Sequence, residues 1–214
     1  MARVAVLHNT LDFRGGADAV CLHVCEALQG IHDVTLFTVS ATRLATLNDL
    51  FGTAANVDVR RPPFGRRLAV LFSRADDRFG PQLPLRSALL TRWFRRYAAE
   101  FDVAVSTANE FDLPIPSVQY VHFPQFNADV PGPDGVHDDG ALNDLWTRVA
   151  GLADRDLPEN ATLVANSGYT AAHFAARYGD EPAVLHPPVD PIPGRPWEER
   201  EQGIVSVGRI APDN

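Results

Sequence analysis

An α/β fold, a parallel sheet flanked by helices, is what this 214-residue sequence predicts. Three observations carry the prediction. Short apolar runs alternate with amphipathic stretches in a β-α-β rhythm. The runs are apolar throughout and close on a polar residue, as strands buried on both faces do when their last side chain reaches a cleft. A proline-rich break and one further apolar run then follow, which predicts the start of a second domain.

In chain order, Arg3 to His8 is the first strand and Asn9 to Gly16 a turn. Ala17 to Leu28 spaces Val20, Val24, Ala27 and Leu28 as a helix that packs back on the strand. Gly15 and Gly16 stand at its start, where bare N–H groups and the positive end of the helix dipole favour an anion. Asp33 to Val39 is a second strand, Arg43 to Phe51 a short helix and Val57 to Val59 a short strand. Arg60 to Pro84, broken by Pro62, Pro63, Gly65, Gly80, Pro81 and Pro84, reads as loops around one amphipathic piece, Leu68 to Phe72.

Leu85 to Tyr97 predicts a helix with Leu85, Leu89, Trp93 and Tyr97 on one side and Arg92 and Arg95 on the other. Two readings of that charged side stand: a solvated face, or a contact with anionic lipid headgroups. Asp102 to Ser106 and Ser117 to Val121 are strands, delivering Thr107, Asn109 and Glu110, then His122, to one sheet edge. Ligands of open α/β sheets bind outside the carboxyl ends of the strands. Phe126 to Gly140 is a long loop and Ala141 to Leu152 a helix; Thr162 to Ala165 is a strand, and Asn166 or Ser167 caps the helix Tyr169 to Tyr178. Ala183 to His186 closes this unit.

Residues 1–186 are thus expected to form one domain and the proline-rich stretch 187–202 a linker, since proline supports neither helix nor central strand. Residues 203–214 begin a second domain, Gly203 to Arg209 being its first strand. One strand cannot make a domain.

Composition narrows the function classes. No apolar run approaches the roughly 20 residues of a membrane span, and Met1 leads straight into a strand, so a cytoplasmic protein is expected. Cys21 and Cys25 lack the paired spacings of a zinc site and read as buried thiols; no ligand cluster suggests a metal. There is no lysine: 19 arginines face 19 aspartates and 8 glutamates. Salt adaptation or a GC-rich genome would each produce this balance. Ten of the arginines lie in residues 60–96 beside only Asp76 and Asp77, whereas the remainder is strongly acidic. That segregation suggests a local anionic partner rather than nucleic acid.

Gly15-Gly16 alone is a weak signal. It lacks the G-x-G-x-x-G of a dinucleotide fold and the Gly-Lys-Ser/Thr of a P-loop, and no acid closes the second strand to hold a ribose, which argues against a nicotinamide-dependent dehydrogenase. A tight turn with close strand–helix packing explains two glycines equally well. Several separated pieces, however, agree. His8-Asn9, Gly15-Gly16-Ala17-Asp18, Tyr120-Val121-His122-Phe123-Pro124, Val164-Ala165-Asn166-Ser167 with Tyr169-Thr170, His186-Pro187-Pro188-Val189-Asp190 and Val205-Ser206-Val207-Gly208-Arg209-Ile210 together resemble the N-terminal half of family 4 retaining glycosyltransferases of GT-B architecture.

The resemblance implies a Rossmann-like N-terminal domain that binds the acceptor, and transfer with retention from a nucleotide-sugar donor held by the second domain. It needs no further cofactor. Gly15 and Gly16 would line the cleft, with Asp18 in place of the family's usual glutamate. His122 would match the cleft histidine that hydrogen-bonds a sugar hydroxyl and stabilises an oxocarbenium-like transition state. Arg209 would offset the charge of the leaving diphosphate, its lysine companion being expected past Asn214. Asn109, Glu110, Asn166 and Ser167 are the remaining substrate-binding candidates, and the acceptor a sugar or a lipid-linked one. Arg92 and Arg95 would then hold a peripheral enzyme on the inner face of an anionic membrane. A chain with only this half is expected to be silent in transfer; the alternative reading is a non-catalytic acceptor- or membrane-binding subunit whose partner carries the donor site.

Overall fold

The computed structural model describes residues 1–79, 83–123, 159–179, 181–189, 194, 196–199 and 203–204. The expected loop 126–140, the helix from Ala141, most of the linker, Arg209 and the strand around it lie outside the described residues. Seven strands are present among those described: β1 (Arg3–His8), β2 (Asp33–Thr38), β3 (Asp58–Arg60), β4 (Val103–Ser106), β5 (Ser117–Val121), β6 (Ala161–Ala165) and β7 (Ala183–Val184). They form one sheet in the order β3-β2-β1-β4-β5-β6-β7, parallel at every pairing. The helices are α1 (Gly16–Gln29), α2 (Leu44–Phe51), α3 (Gly65–Phe79), α4 (Leu83–Phe94) and α5 (Gly168–Tyr178). This is the predicted Rossmann-like α/β class. The strand order reverses between β1 and β4, which opens a crevice at their carboxyl ends.

β1 shows why its residues are apolar throughout. Successive side chains of a strand point to opposite faces; Ala5 and Leu7 join a core with Phe37, Phe72, Leu90, Phe94 and Phe101, while Val4 and Val6 join another with Leu22, Leu36, Leu47, Cys21 and Cys25. The two thiols are free and buried.

Two expectations need correction. Residues 60–84 are not loops around a short piece: α3 runs for 15 residues, and Leu68 to Phe72 is only its middle. Pro62 and Pro63 precede it, and Gly80, Pro81 and Pro84 follow it, so the breakers bracket a helix that none of them interrupts. The inward face of α4 is also rotated from the predicted stripe. Arg86, Ser87, Leu90 and Phe94 are buried, while Leu85, Leu89, Trp93 and Tyr97 flank them. Arg86 can take a core position because its guanidinium lies 4.8 Å from the Phe72 ring centroid and 5.5 Å from that of Phe13, and donates to Thr10 Oγ1 at 3.1 Å.

That rotation removes the aromatic surface expected to meet a membrane. Trp93 and Tyr97 pack on Phe37, with centroids 5.3 and 6.4 Å away. Arg95 donates to Asp112 Oδ2 at 2.7 Å, and Arg92 stays exposed on the last turn. Among the described residues no helix is long and apolar enough to cross a membrane.

Candidate functional site

Three strand ends and one helix start meet at the switch point. β1 delivers His8, β4 is followed by Thr107, β5 by His122, and the turn after β1 leads through Gly15 into α1.

A hydrogen-bonded chain crosses the crevice. His8 Nδ1 lies 2.9 Å from Thr107 Oγ1, and His8 Nε2 lies 3.0 Å from Asp18 Oδ1. Asp18 Oδ2 accepts from the Gly15 N–H at 3.2 Å, which is half of a capping box and also sets a carboxylate in the first turn of α1. Both His8 and Asp18 are 2% exposed. Burial alone would lower the His8 pKa, but the Cys21 sulfur and the Asp18 carboxylate outweigh it and push it up to about 10. Burial raises the Cys21 thiol well above its ordinary range, against the pull of the His8 charge. Cys21 and Asp18 together hold the imidazolium.

His122 is fixed from the other side. Its Nε2 lies 3.1 Å from the Thr107 carbonyl; a carbonyl only accepts, so this nitrogen carries the proton and Nδ1 is left with its lone pair. Its backbone N–H donates to Asn109 Oδ1 at 2.7 Å, as does that of Phe123 at 3.2 Å. Its carbonyl lies 3.2 Å from Thr170 Oγ1. Burial lowers the His122 pKa, and the charge on His8 adds to that, against the opposing Thr107 hydrogen bond and Asp18 charge. The ring is therefore neutral at pH 7.

The glycine turn is open. Gly15 has φ −97°, neither glycine needs the left-handed region, and a Cβ built on either would meet nothing within 4 Å. Tight-turn geometry and close packing therefore do not explain them. What their lack of side chains does is leave the backbone at the start of α1 bare. The left-handed residue of this turn is Arg14 (φ 54°), an exposed cation that sequence reasoning did not single out.

The structure brings Gly15, Asp18 and His122 together through His8 and Thr107, and it places the other predicted residues less simply. Asp18 faces inward, its two oxygens on His8 and Gly15. Asn109 sits at φ 67° with its side-chain oxygen on two backbone N–H groups. Glu110 is fully buried. Ser167 caps α5, accepting from the Thr170 N–H at 3.2 Å as the sequence suggested, and Asn166 Oδ1 accepts from Thr170 Oγ1 at 2.6 Å. Thr107 and Thr170 link these groups. Thr107 was marked in the sequence by its place at a strand end, and Thr170 by its place in the Asn166-Ser167 piece of the resemblance. Among the described residues no group of three or more His, Cys, Asp or Glu is placed to hold a metal.

A solved structure of TcCGT1 in complex with UDP superposes with TM-score 0.47 and 11% identity over 91% of this chain and 53% of that one. The present chain thus spans about half of that protein, and so distant a likeness bears on neither donor nor acceptor. No curated protein matches the chain. The sequence profile of Glycosyltransferase Family 4 matches residues 14–192. That span runs from the glycine turn through the strand ends that hold His122, Asn166 and Ser167 and into the proline-rich stretch, and the chain belongs to glycosyltransferase family 4.

Proposed function

We propose that the described sheet is the acceptor side of a retaining glycosyltransferase of GT-B architecture that uses a nucleotide-sugar donor. The observation that best supports this is the state of His122: neutral, its Nε2–H held by the Thr107 carbonyl, with Nδ1 hydrogen-bonded to none of the described residues. A lone pair fixed in that way at a sheet edge can accept a hydrogen bond from a sugar hydroxyl and stabilise positive charge growing on the sugar ring. The bare start of α1 beside it supports an anion, as the donor diphosphate would be.

In this reading His122 is the catalytic residue of the described part, and Gly15 and Gly16 line the cleft. Asp18, Asn109, Asn166 and Ser167 act through other residues. Asp18 ties His8 to the turn, Asn109 holds the His122 backbone, and Asn166 and Ser167 orient Thr170, whose hydroxyl meets the His122 carbonyl. Glu110 supports the loop from inside. In this reading Arg209, which lies outside the described residues, offsets the charge of the leaving diphosphate, and the donor domain begins after a linker at 187–202. Sugar transfer by the 214-residue chain alone is therefore not expected.

The test is NMR of the histidine rings during titration with simple glycosides and with nucleotide-sugars. The Nε2–H tautomer of His122 should be visible without ligand, and a saturating acceptor glycoside should move its Nδ1 signal; His122→Ala should weaken binding more than His122→Gln. A His122 ring protonated at Nδ1, or one whose signals ignore every glycoside, would refute the acceptor role. Appreciable transfer by the chain alone would refute the division of labour.

A further inference from the structure

We propose that the outer face of α3 is a docking surface for an anionic lipid bilayer. At about 100° per residue, Arg66, Asp77, Val70, Arg74, Arg67, Arg78 and Leu71 fall in one arc of about 140°, and Arg66, Arg67, Val70, Leu71 and Arg74 of these are exposed. The opposite arc holds Gly65, Ala69 and Phe72, which are buried, and Leu68, which packs on the core. The exposed arc is therefore not a solvated polar face. Leu71 is 60% exposed, Val70 44%, and Phe64, directly before the helix, 73%.

Phe64 is a second, independent observation. It has φ 61°, a conformation that costs a bulky residue of order 1–3 kcal/mol and persists where the surroundings enforce it. The turn closed by the Gly65 N–H on the Pro62 carbonyl at 2.7 Å holds Phe64 in that conformation with its ring outward.

The chemistry of the arc selects the partner. A nucleic acid would be met by arginines alone and leave Phe64, Val70 and Leu71 without a role. A bilayer surface takes both, with apolar side chains at the acyl boundary and arginines reaching the headgroups along their own stems. Charge complementarity agrees: the protein carries a formal net charge of −8, yet residues 60–96 hold ten of its 19 arginines. Several of those serve the fold: Arg86 is buried, Arg60 pairs with Glu100 at 2.8 Å and Arg61 donates to the Ser40 carbonyl at 2.8 Å. Arg66, Arg67 and Arg74 remain turned outward. The inner side of α3 meets the turn after β1 through Phe72, Arg86 and Phe13, so a membrane on α3 would lie beside the loop that leads into Gly15. The surface itself does not depend on what the cleft binds.

Vesicle flotation of the purified 214-residue chain tests this. Binding is expected to phosphatidylcholine vesicles containing a quarter phosphatidylglycerol, to fall in high salt, and to be absent on pure phosphatidylcholine. Replacing Arg66, Arg67 and Arg74 by glutamine should lower the partition coefficient by about fivefold each, on the order of a hundredfold together. Leu71→Ser should weaken binding at all salt concentrations, whereas Arg92→Gln with Arg95→Gln should change little. Circular dichroism confirms that each variant is folded. No flotation of the wild type, an unaffected triple variant, equal loss in the Arg92/Arg95 variant, or retention by a nucleic acid without any by vesicles would each overturn the proposal.

Discussion

Asp18→Asn tests whether a buried ion pair holds the glycine turn. Asparagine is nearly isosteric, and it can keep both contacts: its oxygen accepts from the Gly15 N–H while its amide donates to Nε2 of a neutral His8, whose Nδ1–H then turns to Thr107 Oγ1. The substitution therefore removes charge with little loss of hydrogen bonding. In the wild type the His8 pKa rises from 6.5 to about 10. The stabilisation from that rise, to which Cys21 and Asp18 both contribute, is complete below pH 6.5 and is lost as pH climbs toward about 10, with a slope of about 1.4 kcal/mol per pH unit. A rise of that size corresponds to at most about 5 kcal/mol, and breaking buried pairs costs about 3–5 kcal/mol. We expect Asp18→Asn to lose about 3 kcal/mol at pH 6.5. Urea unfolding followed by tryptophan fluorescence is the assay. Between pH 6.5 and 9.0 the wild type should become steadily less stable and the variant, which keeps Cys21, should do so less steeply. Above pH 9 the Cys21 thiol, whose pKa burial also raises, acts in the same direction in both proteins, so the lower interval decides. A flat wild type, an unchanged slope in the variant, or a cost below about 1 kcal/mol would refute the argument.

Asn109→Gly should lose about 1–3 kcal/mol in thermal melts, because the backbone N–H groups of His122 and Phe123 lose their acceptor. Asn109→Ala should lose about 1–2 kcal/mol more, since alanine pays for the φ of 67° that glycine adopts freely; equal melts would deny that the conformation matters. Asp12 gives an acid limb. Burial alone would raise its pKa, but donors from Ser40 and Thr42 hold it below 3.8, so its stabilisation is present above 3.8 and lost as pH falls through the folded value. Asp12→Asn should flatten that part of the urea-derived stability profile, and a profile identical to wild type would show that the loop 40–42 does not depend on the carboxylate.

The sheet was legible because its signal is local. Arg3 to His8, Asp33 to Thr38 and Ser117 to Val121 are apolar runs in the sequence and strands in the fold, within a residue of their expected bounds. Helix α3 was hidden because six proline and glycine breakers around it look like a loop when counted together, although Gly65 alone falls inside the helix, at its first position. Arg86 was hidden for a different reason. Periodicity sorts residues by hydropathy, and no hydropathy rule places a guanidinium in a core; the rings of Phe13 and Phe72, the Thr10 hydroxyl and the Asp12 carboxylate, brought from distant sequence, help make the site. The candidate site was half legible. Strand ends identify which residues reach the edge, as for His8, Asn109 and His122, but whether a side chain turns outward or inward is decided by partners from other strands.

Asp18 shows how that decision shapes the cleft. A carboxylate after Gly-Gly-Ala is expected to face substrate, and here it is one methylene shorter than the family's usual glutamate. At this length its oxygens reach His8 Nε2 and the Gly15 N–H together, at 3.0 and 3.2 Å, within a site that is almost fully buried. A carboxylate so engaged stabilises the turn and presents no negative charge to the cleft. The edge is thereby left to the bare backbone at the start of α1, to the exposed Arg14 and to the His122 lone pair. An anionic ligand approaching that edge would meet donors and a cation, with the Asp18 carboxylate already engaged by His8 and the Gly15 N–H behind it.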